Sequence, residues 1–329
     1  MITRPLLKPL FAAIALASSS AAMAEFENRS FSVFGAAGMQ AVNYSEELND
    51  WYGVDLKSDF STVNFVQRSG GYTAVDENLG FSIISHSTLI AFEDTEEWNM
   101  GGVADPVQES TNSLSFSTLD ISLAWHFQNG WYATGGMHYQ KTAFSRFDWT
   151  MGAGNDELNS TMRAYIESQP AMMEVVDQYV AADNGIDSRD DYFDAIANNP
   201  QANSAVVFED TANFGLMAGI AYDSYFMTQS SGPRYQFSLE VGTPFYERVL
   251  NSGEDKALDR TFGGGLDVTA KLGAGYQFST QLSAMLLVTG HYSHRDEIVE
   301  WYNALDSTRL PENTLTAYAG YLSLGWNFE

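Results

Sequence analysis

The sequence predicts an all-β protein, a closed antiparallel β-barrel that spans a membrane. Alternating apolar and polar residues continue for ten or more positions in several segments, aromatic residues stand at the segment ends, and short turns alternate with long polar loops. A strand of a soluble sheet usually has about five or six residues. A transmembrane strand needs about 9–11, with aromatic residues at the membrane interfaces. We therefore predict a barrel of about ten strands, with twelve as the alternative.

The composition excludes several classes of protein. The formal net charge is −26, which opposes binding to nucleic acid because such binding needs a basic surface. The chain has no cysteine, so disulfides, zinc–thiolate sites and thiol catalysis are excluded. Hydrophobic residues make up 45% of the chain and aromatic residues 14%, which opposes disorder.

Residues 1–24 have the features of a cleaved signal peptide. Arg4 and Lys8 form a basic start, a short apolar run follows, and Ala22-Met23-Ala24 is a small-x-small cleavage site. No cysteine follows the site, which excludes a lipoprotein. We expect Sec-type export and a mature barrel of residues 25–329 in a bacterial outer membrane.

The clearest alternation covers residues 266–278. Apolar and aromatic residues occupy every even position, while the odd positions are polar or small. This pattern places Leu272 toward lipid and its neighbour Lys271 toward the lumen. Similar patterns cover 119–127, 131–139, 214–222 and 235–245.

The gaps between these segments predict the topology. Short gaps follow the second, fourth, sixth and eighth strands, and Asn129-Gly130 is a strong hairpin signal. The other gaps are long and polar, which predicts five outer loops and both termini in the periplasm. The predicted strands are 30–44, 60–74, 79–92, 113–128, 131–148, 211–226, 234–248, 263–278, 281–297 and 314–328.

The third outer loop, 149–210, carries helical patterns. Helix-forming residues flank Pro170, and Ser188 is placed to cap a short helix over 189–197. We expect a helical insertion that either caps the outer mouth or folds into the lumen.

The last strand carries a recognisable pattern. It resembles the C-terminal assembly signal of Gram-negative outer-membrane β-barrel proteins, although Glu329 follows the final aromatic residue. The resemblance implies the barrel-assembly machinery and periplasmic chaperones as partners during biogenesis, and outer-membrane lipid and lipopolysaccharide as surroundings. Within that class the chain is similar to the ten-stranded omptin proteases and to solitary autotransporter-type barrels. The alternating residues are Tyr318, Gly320, Leu322, Leu324, Trp326 and Phe328.

Charged and histidine residues recur at positions predicted to face the lumen. Buried charges are tolerated only when they are paired, so these residues predict a polar network that fills a narrow lumen. Glu240 is placed to pair with Lys271 on the next strand; in a different register Glu240 would instead face Asp267 or Thr269. Asp267 and Lys271 form an alternative pair along one strand. The predicted network is Asp120, His126, His138, Asp223, Glu240, Asp267 and Lys271, with His291 on the same face.

Two catalytic alternatives have weaker support. His294 and Asp296 share a strand face, but that face points toward lipid, and the omptin motifs are not matched. His291-Tyr292-Ser293 resembles the His-x-Ser of the outer-membrane lipid A deacylases, but His291 and Ser293 are predicted to point inward. The residues therefore give weak candidates for a hydrolase and no complete site.

Acidic residues cluster in the third outer loop. They lack a complete EF-hand spacing, so we expect a solvated acidic face rather than a calcium site. No cofactor is expected. The candidate ligands are Asp183, Asp187, Asp190, Asp191 and Asp194.

The predicted function is non-catalytic, either surface interaction or a structural role, with side chains filling the lumen. An outer-membrane hydrolase is the first alternative and a narrow-pore transporter is the second. The sequence names no extracellular ligand, substrate or transported solute.

Overall fold

The computed structural model describes residues 31–182, 185–197, 207–225, 231–252, 257–261, 263–301 and 307–328. The predicted signal peptide lies outside these residues. None of the helices in these ranges combines the length and hydropathy needed to cross a bilayer. The strands are β1 (Phe31–Trp51), β2 (Val54–Ala74), β3 (Leu79–Ile90), β4 (Glu93–Met100), β5 (Gln108–Gln128), β6 (Trp131–Met151), β7 (Val207–Asp223), β8 (Gly232–Asn251), β9 (Leu258–Thr261), β10 (Gly265–Gln277), β11 (Leu282–Arg295), β12 (Ile298–Trp301), β13 (Ser307–Leu310) and β14 (Glu312–Phe328).

The main sheet closes on itself as an antiparallel barrel. It has twelve strands, but β3 and β4 lie end to end against β5, and β9 and β10 lie end to end against β8, which leaves ten positions around the ring. The ring closes where β1 pairs with β14, from Phe31 opposite Phe328 to Glu47 opposite Glu312. The predicted closed barrel of about ten strands is confirmed.

Four short connections define one end of the barrel, which we call the turn end. They join β2 to β3, β5 to β6, β7 to β8 and β10 to β11. At the tightest of them Gly130 has φ +75°, which glycine adopts without steric cost, as the predicted Asn129-Gly130 hairpin requires. We call the opposite end, which carries the long connections, the loop end.

The strand at the third position is interrupted at Ala91 and Phe92, between β3 and β4. Side chains of β2 replace the missing ladder bonds: Thr62 Oγ1 donates to the Phe92 carbonyl at 3.0 Å, and the Phe92 amide donates to Asn64 Oδ1 at 3.2 Å. Both backbone groups of Phe92 are therefore hydrogen-bonded despite the break in the strand.

The outer surface carries an apolar belt. On β10, Leu272 is 60% exposed and Tyr276 is 45% exposed, whereas Asp267 and Gln277 on the other face are buried. The predicted pattern over 266–278 is therefore confirmed. On β14, Tyr318, Leu322 and Trp326 also point outward. Exposed apolar residues on this scale are stable only against lipid or a partner.

The predicted bounds of two outer loops are wrong, because both loops are shorter than predicted. Most of 45–59 is strand, with the hairpin turn at Tyr52-Gly53, and 93–112 contains β4 and the start of β5, joined by residues 101–107. These extensions rise beyond the belt, where the outer face is polar as well. Outward Lys57 and Asp59 flank the buried Ser58, so the apolar outer face that marks a membrane strand is absent here.

The predicted helical insertion is confirmed within 149–210. Its helices are α1 (Asn155–Ser168), α2 (Pro170–Ala181) and α3 (Arg189–Ala197). Ser188 caps α3 as predicted, because its Oγ accepts a hydrogen bond from the Asp191 amide at 3.1 Å. The described helices lie at the loop end of the barrel, where Met162 packs against Val54 of the first hairpin.

Together with the strand extensions, the helices form a structure that we call the head. One of its apolar cores joins strands to α1, and a second joins the three helices through Ile166, Val176 and Phe193. Arg163 stacks on the Phe193 ring and pairs with Asp190. The first core comprises Val54, Leu56, Trp98, Met100, Val107 and Met162.

Candidate functional site

Bulky side chains block the lumen at mid-height. They come from five strands and converge on the barrel axis, where Tyr44 and Phe60 both pack on the Phe144 ring, with centroids 5.3 and 5.9 Å apart. Every member is at most 6% exposed. We call this group the lumen plug: Val42, Tyr44, Phe60, Leu114, Phe116, Phe144, Leu315 and Ala317.

Between the plug and the turn end, most of the predicted lumen residues form pairs. Asp120 contacts His138 directly across the β5–β6 ladder, with 2.5 Å between Oδ1 and Nδ1. Asp223 binds the Arg234 guanidinium with both carboxylate oxygens, at 2.5 and 3.1 Å. His126 contacts the Tyr72 hydroxyl at 3.0 Å.

The predicted partners of Lys271 differ from the observed ones. Glu240 stands opposite Thr269 in the ladder, as the alternative register predicts, and accepts a hydrogen bond from Thr134 at 3.2 Å. Asp267 pairs with Arg295 at 3.0 Å. Because Lys271 stands opposite Ser238, it makes no ion pair within 4 Å to Glu240 or Asp267, all three being described residues.

The loop-end half of the lumen holds a buried charge network centred on Arg146. Its guanidinium binds Glu46 at 2.6 Å and Glu96 at 2.8 and 2.9 Å, and all three side chains are nearly inaccessible to solvent. Asn112 donates to Glu96 at 2.5 Å, and the Tyr44 hydroxyl donates to Glu46 at 2.8 Å. The network therefore extends from the plug toward the loop end.

The pKa values of two carboxyl groups in this network are shifted in opposite directions. Burial raises the pKa of Glu46 even though Arg146 lies against it. Burial also acts to raise the pKa of Glu96, but Arg146 and its hydrogen bonds dominate and lower it. Burial, with the nearby charge of Glu46, raises the pKa of Glu209 to about 7. One arginine thus serves several carboxyl groups.

A second arginine-centred network lies beside the first. Arg295 binds Glu247 at 3.0 Å and Asp267 at 3.0 Å, and these side chains are almost fully buried. Arg260 approaches Glu247 at 3.9 Å. Charge pairs therefore occupy the lumen on both sides of the plug, toward the loop end and toward the turn end.

The arginines that complete these pairs were not among the residues predicted from sequence. Arg146, Arg234 and Arg295 lie on the same strand faces as His138, Glu240 and His291, so extending the alternation along each strand would have found them. Arg68 lies on β2, where alternation was weak in the sequence.

The weak catalytic candidates lie in two places. His291 and Ser293 point inward; His291 Nδ1 contacts Thr269 Oγ1 at 2.9 Å, and Ser293 is buried. His294 and Asp296 lie at the loop-end rim, with 3.2 Å between Nε2 and Oδ1. The two groups do not converge on one site.

The acidic residues of the third loop do not converge either. Asp190 binds Arg163, Asp191 bonds to Ser188, and Asp183 lies outside the described residues. Within the described ranges, no three histidine or acidic residues stand close enough to hold a metal ion.

Comparisons with known proteins give the class of fold. No protein-family model matches the chain, and the search of curated proteins gives no match. Among solved structures, the chain is similar to the outer membrane protease OmpT from Escherichia coli, with 10% identity, a TM-score of 0.50, and coverage of 92% of this chain and 99% of that one. A second is the translocator domain of the autotransporter NalP from Neisseria meningitidis, with 10% identity, a TM-score of 0.35, and 97% and 96% coverage.

The likeness to OmpT, an outer-membrane protein, agrees with the closed ring and the apolar belt of this chain. The protein has the fold of a Gram-negative outer-membrane β-barrel, as the sequence predicts.

Proposed function

We propose that the protein is a non-conducting outer-membrane barrel whose head, rather than its lumen, is the working surface. The turn end faces the periplasm and the head faces the exterior. The observation that carries this proposal is the lumen plug. Rings in contact across the axis leave no continuous path for a solute, and ten strands enclose little more space than the eight whose interior side chains fill.

The head supports an interaction role because its parts are held in a fixed arrangement by apolar packing and hydrogen bonds. Its cores fix the helices on the first hairpin, and Arg309 ties the β13 segment to the same hairpin by donating to the Asn49 carbonyl at 3.1 Å. A membrane-spanning role alone needs about 9–11 residues per strand, whereas β1 and β2 each have 21. The additional length is used to present the head.

The charge of the head indicates the chemistry of its partner. Residues 155–197 carry ten acidic and two basic residues. Complementary charge speeds encounter and excludes wrong partners, so the partner presents a basic surface. We also propose that the alternating residues from Tyr318 to Phe328 are read by the barrel-assembly machinery after Sec-type export, with periplasmic chaperones escorting the chain to a membrane of lipid and lipopolysaccharide.

Planar-bilayer conductance tests the closed lumen. The wild-type protein is expected to give no stable channels, whereas the double variant Phe60→Ala/Phe144→Ala removes two rings of the plug and gives them. Leu286→Ala is the matched control because Leu286 points into the belt, where it is 67% exposed. Regular wild-type channels would support the narrow-pore alternative instead.

The role of the head is tested by deleting it. A variant with 155–197 replaced by a short Gly-Ser linker should keep the barrel but lose binding to an immobilised basic protein such as cytochrome c at low salt. Equal binding by both forms would contradict the role of the head. Incubation with peptides and with lipopolysaccharide tests the hydrolase alternative, and cleavage abolished by His294→Ala or His291→Ala would establish it.

A further inference from the structure

A cavity lies between the lumen plug and the turn end. Its volume is about 150 Å³, room for on the order of ten water molecules. Ser32 and Asn327 line it close to the turn end, and Glu240 and Lys271 line it on the side of the plug. The cavity therefore extends from the turn end, the periplasmic end in the proposed orientation, toward the lumen plug.

Two cations point into this cavity without a protein acceptor. Arg68 of β2 and Lys271 of β10 both line it, from strands four positions apart in the ring of ten, so they approach from facing walls. Within the described residues, neither side chain makes a hydrogen bond or an ion pair. By contrast, the Asp223 and Arg234 side chains that line the same cavity bind each other.

The charges that remain do not neutralise this pair. Glu240 lies within electrostatic reach of both cations but supplies only one negative charge, and Asp120 is bonded to His138. The two cations also repel each other. A charge in a narrow lumen is stable only when it has a counter-charge, so this arrangement is complementary to an anion held between the two side chains.

We propose that this cavity binds a small organic anion from the periplasm through a carboxylate or phosphate group placed between Arg68 and Lys271. The planar guanidinium of arginine presents paired donors that match two oxygens of such a group, and the lysine ammonium adds a compact charge. Phe34 and Ile84 line the same cavity and provide an apolar wall for the body of the ligand.

Titration of the full-length wild-type protein in detergent micelles tests the proposal. Benzoate and phenyl phosphate are the two anionic probes, and benzamide is the neutral probe with the shape of benzoate. Calorimetry should show saturable binding of one or both anions and none of benzamide, and the unfolding midpoint should rise with the anion that binds. Binding of benzoate alone identifies a carboxylate site, and binding of phenyl phosphate alone a phosphate site. No binding by either anion, or equal binding of benzamide, would overturn the proposal.

Variants then locate the site. Lys271→Gln and Arg68→Gln should each weaken anion binding at least tenfold, while Lys271→Arg retains most of it. Lys141→Gln is the matched control, because Lys141 is paired with Asp210 on the outer face. Unchanged binding by a folded Lys271→Gln variant would place the anion elsewhere. If the glutamine variants do not fold, the comparison of the two anions with benzamide on the wild-type protein still tests whether an anion site exists. The result is independent of the conductance of the barrel and of the role of the head.

Discussion

Arg146 is the residue on which the loop-end half of the lumen depends. It binds Glu46 and Glu96, so replacing it by methionine keeps much of the volume but leaves two buried carboxyl groups without a counter-charge. Breaking a buried ion pair in this way costs about 3–5 kcal/mol. Arg146→Met should therefore lower the unfolding midpoint in urea strongly. Arg189→Met is the control: its pair with Asp177 is exposed to solvent, which screens the two charges, so its loss should change the midpoint little. Similar losses in both variants would contradict the central position of Arg146.

Glu209 makes the stability of the head side of the barrel depend on pH. Its neighbours are Glu46, Arg146, Asn251 and Glu247, and its pKa is raised from 4.5 to about 7. The folded state therefore binds more protons than the unfolded chain between these pH values, so the free energy of unfolding falls as pH rises from 4.5 to 7. In Glu209→Gln this fall should be smaller. Unfolding midpoints measured at several pH values check it, and an identical pH profile in both proteins would refute the assignment.

At the scale of the element, β10 tests which face of a strand meets lipid. Leu272 lies in the belt and Thr269 faces the lumen. Leu272→Arg should impair folding by about 2–4 kcal/mol, the cost of arginine near the bilayer midplane. Thr269→Arg should cost less, because its side chain lies on the polar lumen face, where Glu240 stands opposite Thr269 in the ladder. Folding into lipid vesicles, followed by heat-modifiable migration on gels, gives the comparison, and equal losses would reverse the assignment of faces.

The membrane-spanning parts of the strands could be predicted from sequence, whereas their upper parts could not. In the belt, lipid requires apolar residues at alternate positions, and this requirement is visible over residues 266–278. Above the belt, water meets the outer face, so that face is polar, and the inner face mixes apolar residues such as Leu56 with polar ones such as Ser58 and Glu96. The pattern disappears although the ladder continues.

The candidate site could also be predicted only in part. The inward positions of Asp120, Glu240 and Asp267 follow from alternation, but their partners depend on register and on which strands face each other across the lumen. Arg68 and Lys271 are separated by 203 positions, and only closure of the ring brings them to one cavity. No local pattern contains that information.

For the whole molecule, the predicted orientation can be tested by labelling. Single cysteines at Gly101 and Asn129 lie at opposite ends of the barrel. An impermeant maleimide should label Gly101→Cys on intact cells, and Asn129→Cys only after the outer membrane is opened. Asn78→Cys, in another short turn, is the control and should behave like Asn129→Cys. The reverse pattern would show that the head faces the periplasm.

The seam between β1 and β14 determines when the molecule can finish folding. The strands that meet there are the first and last of the described chain, and their register runs from Phe31 opposite Phe328 to Glu47 opposite Glu312. Until the last strand is in place, β1 and β11 each present an unpaired edge, and such edges can pair with other chains. Contacts between positions this far apart in sequence also form slowly. A chain that lacks its final strand would therefore remain an open sheet with two unpaired edges. We expect such a chain to aggregate or to be degraded.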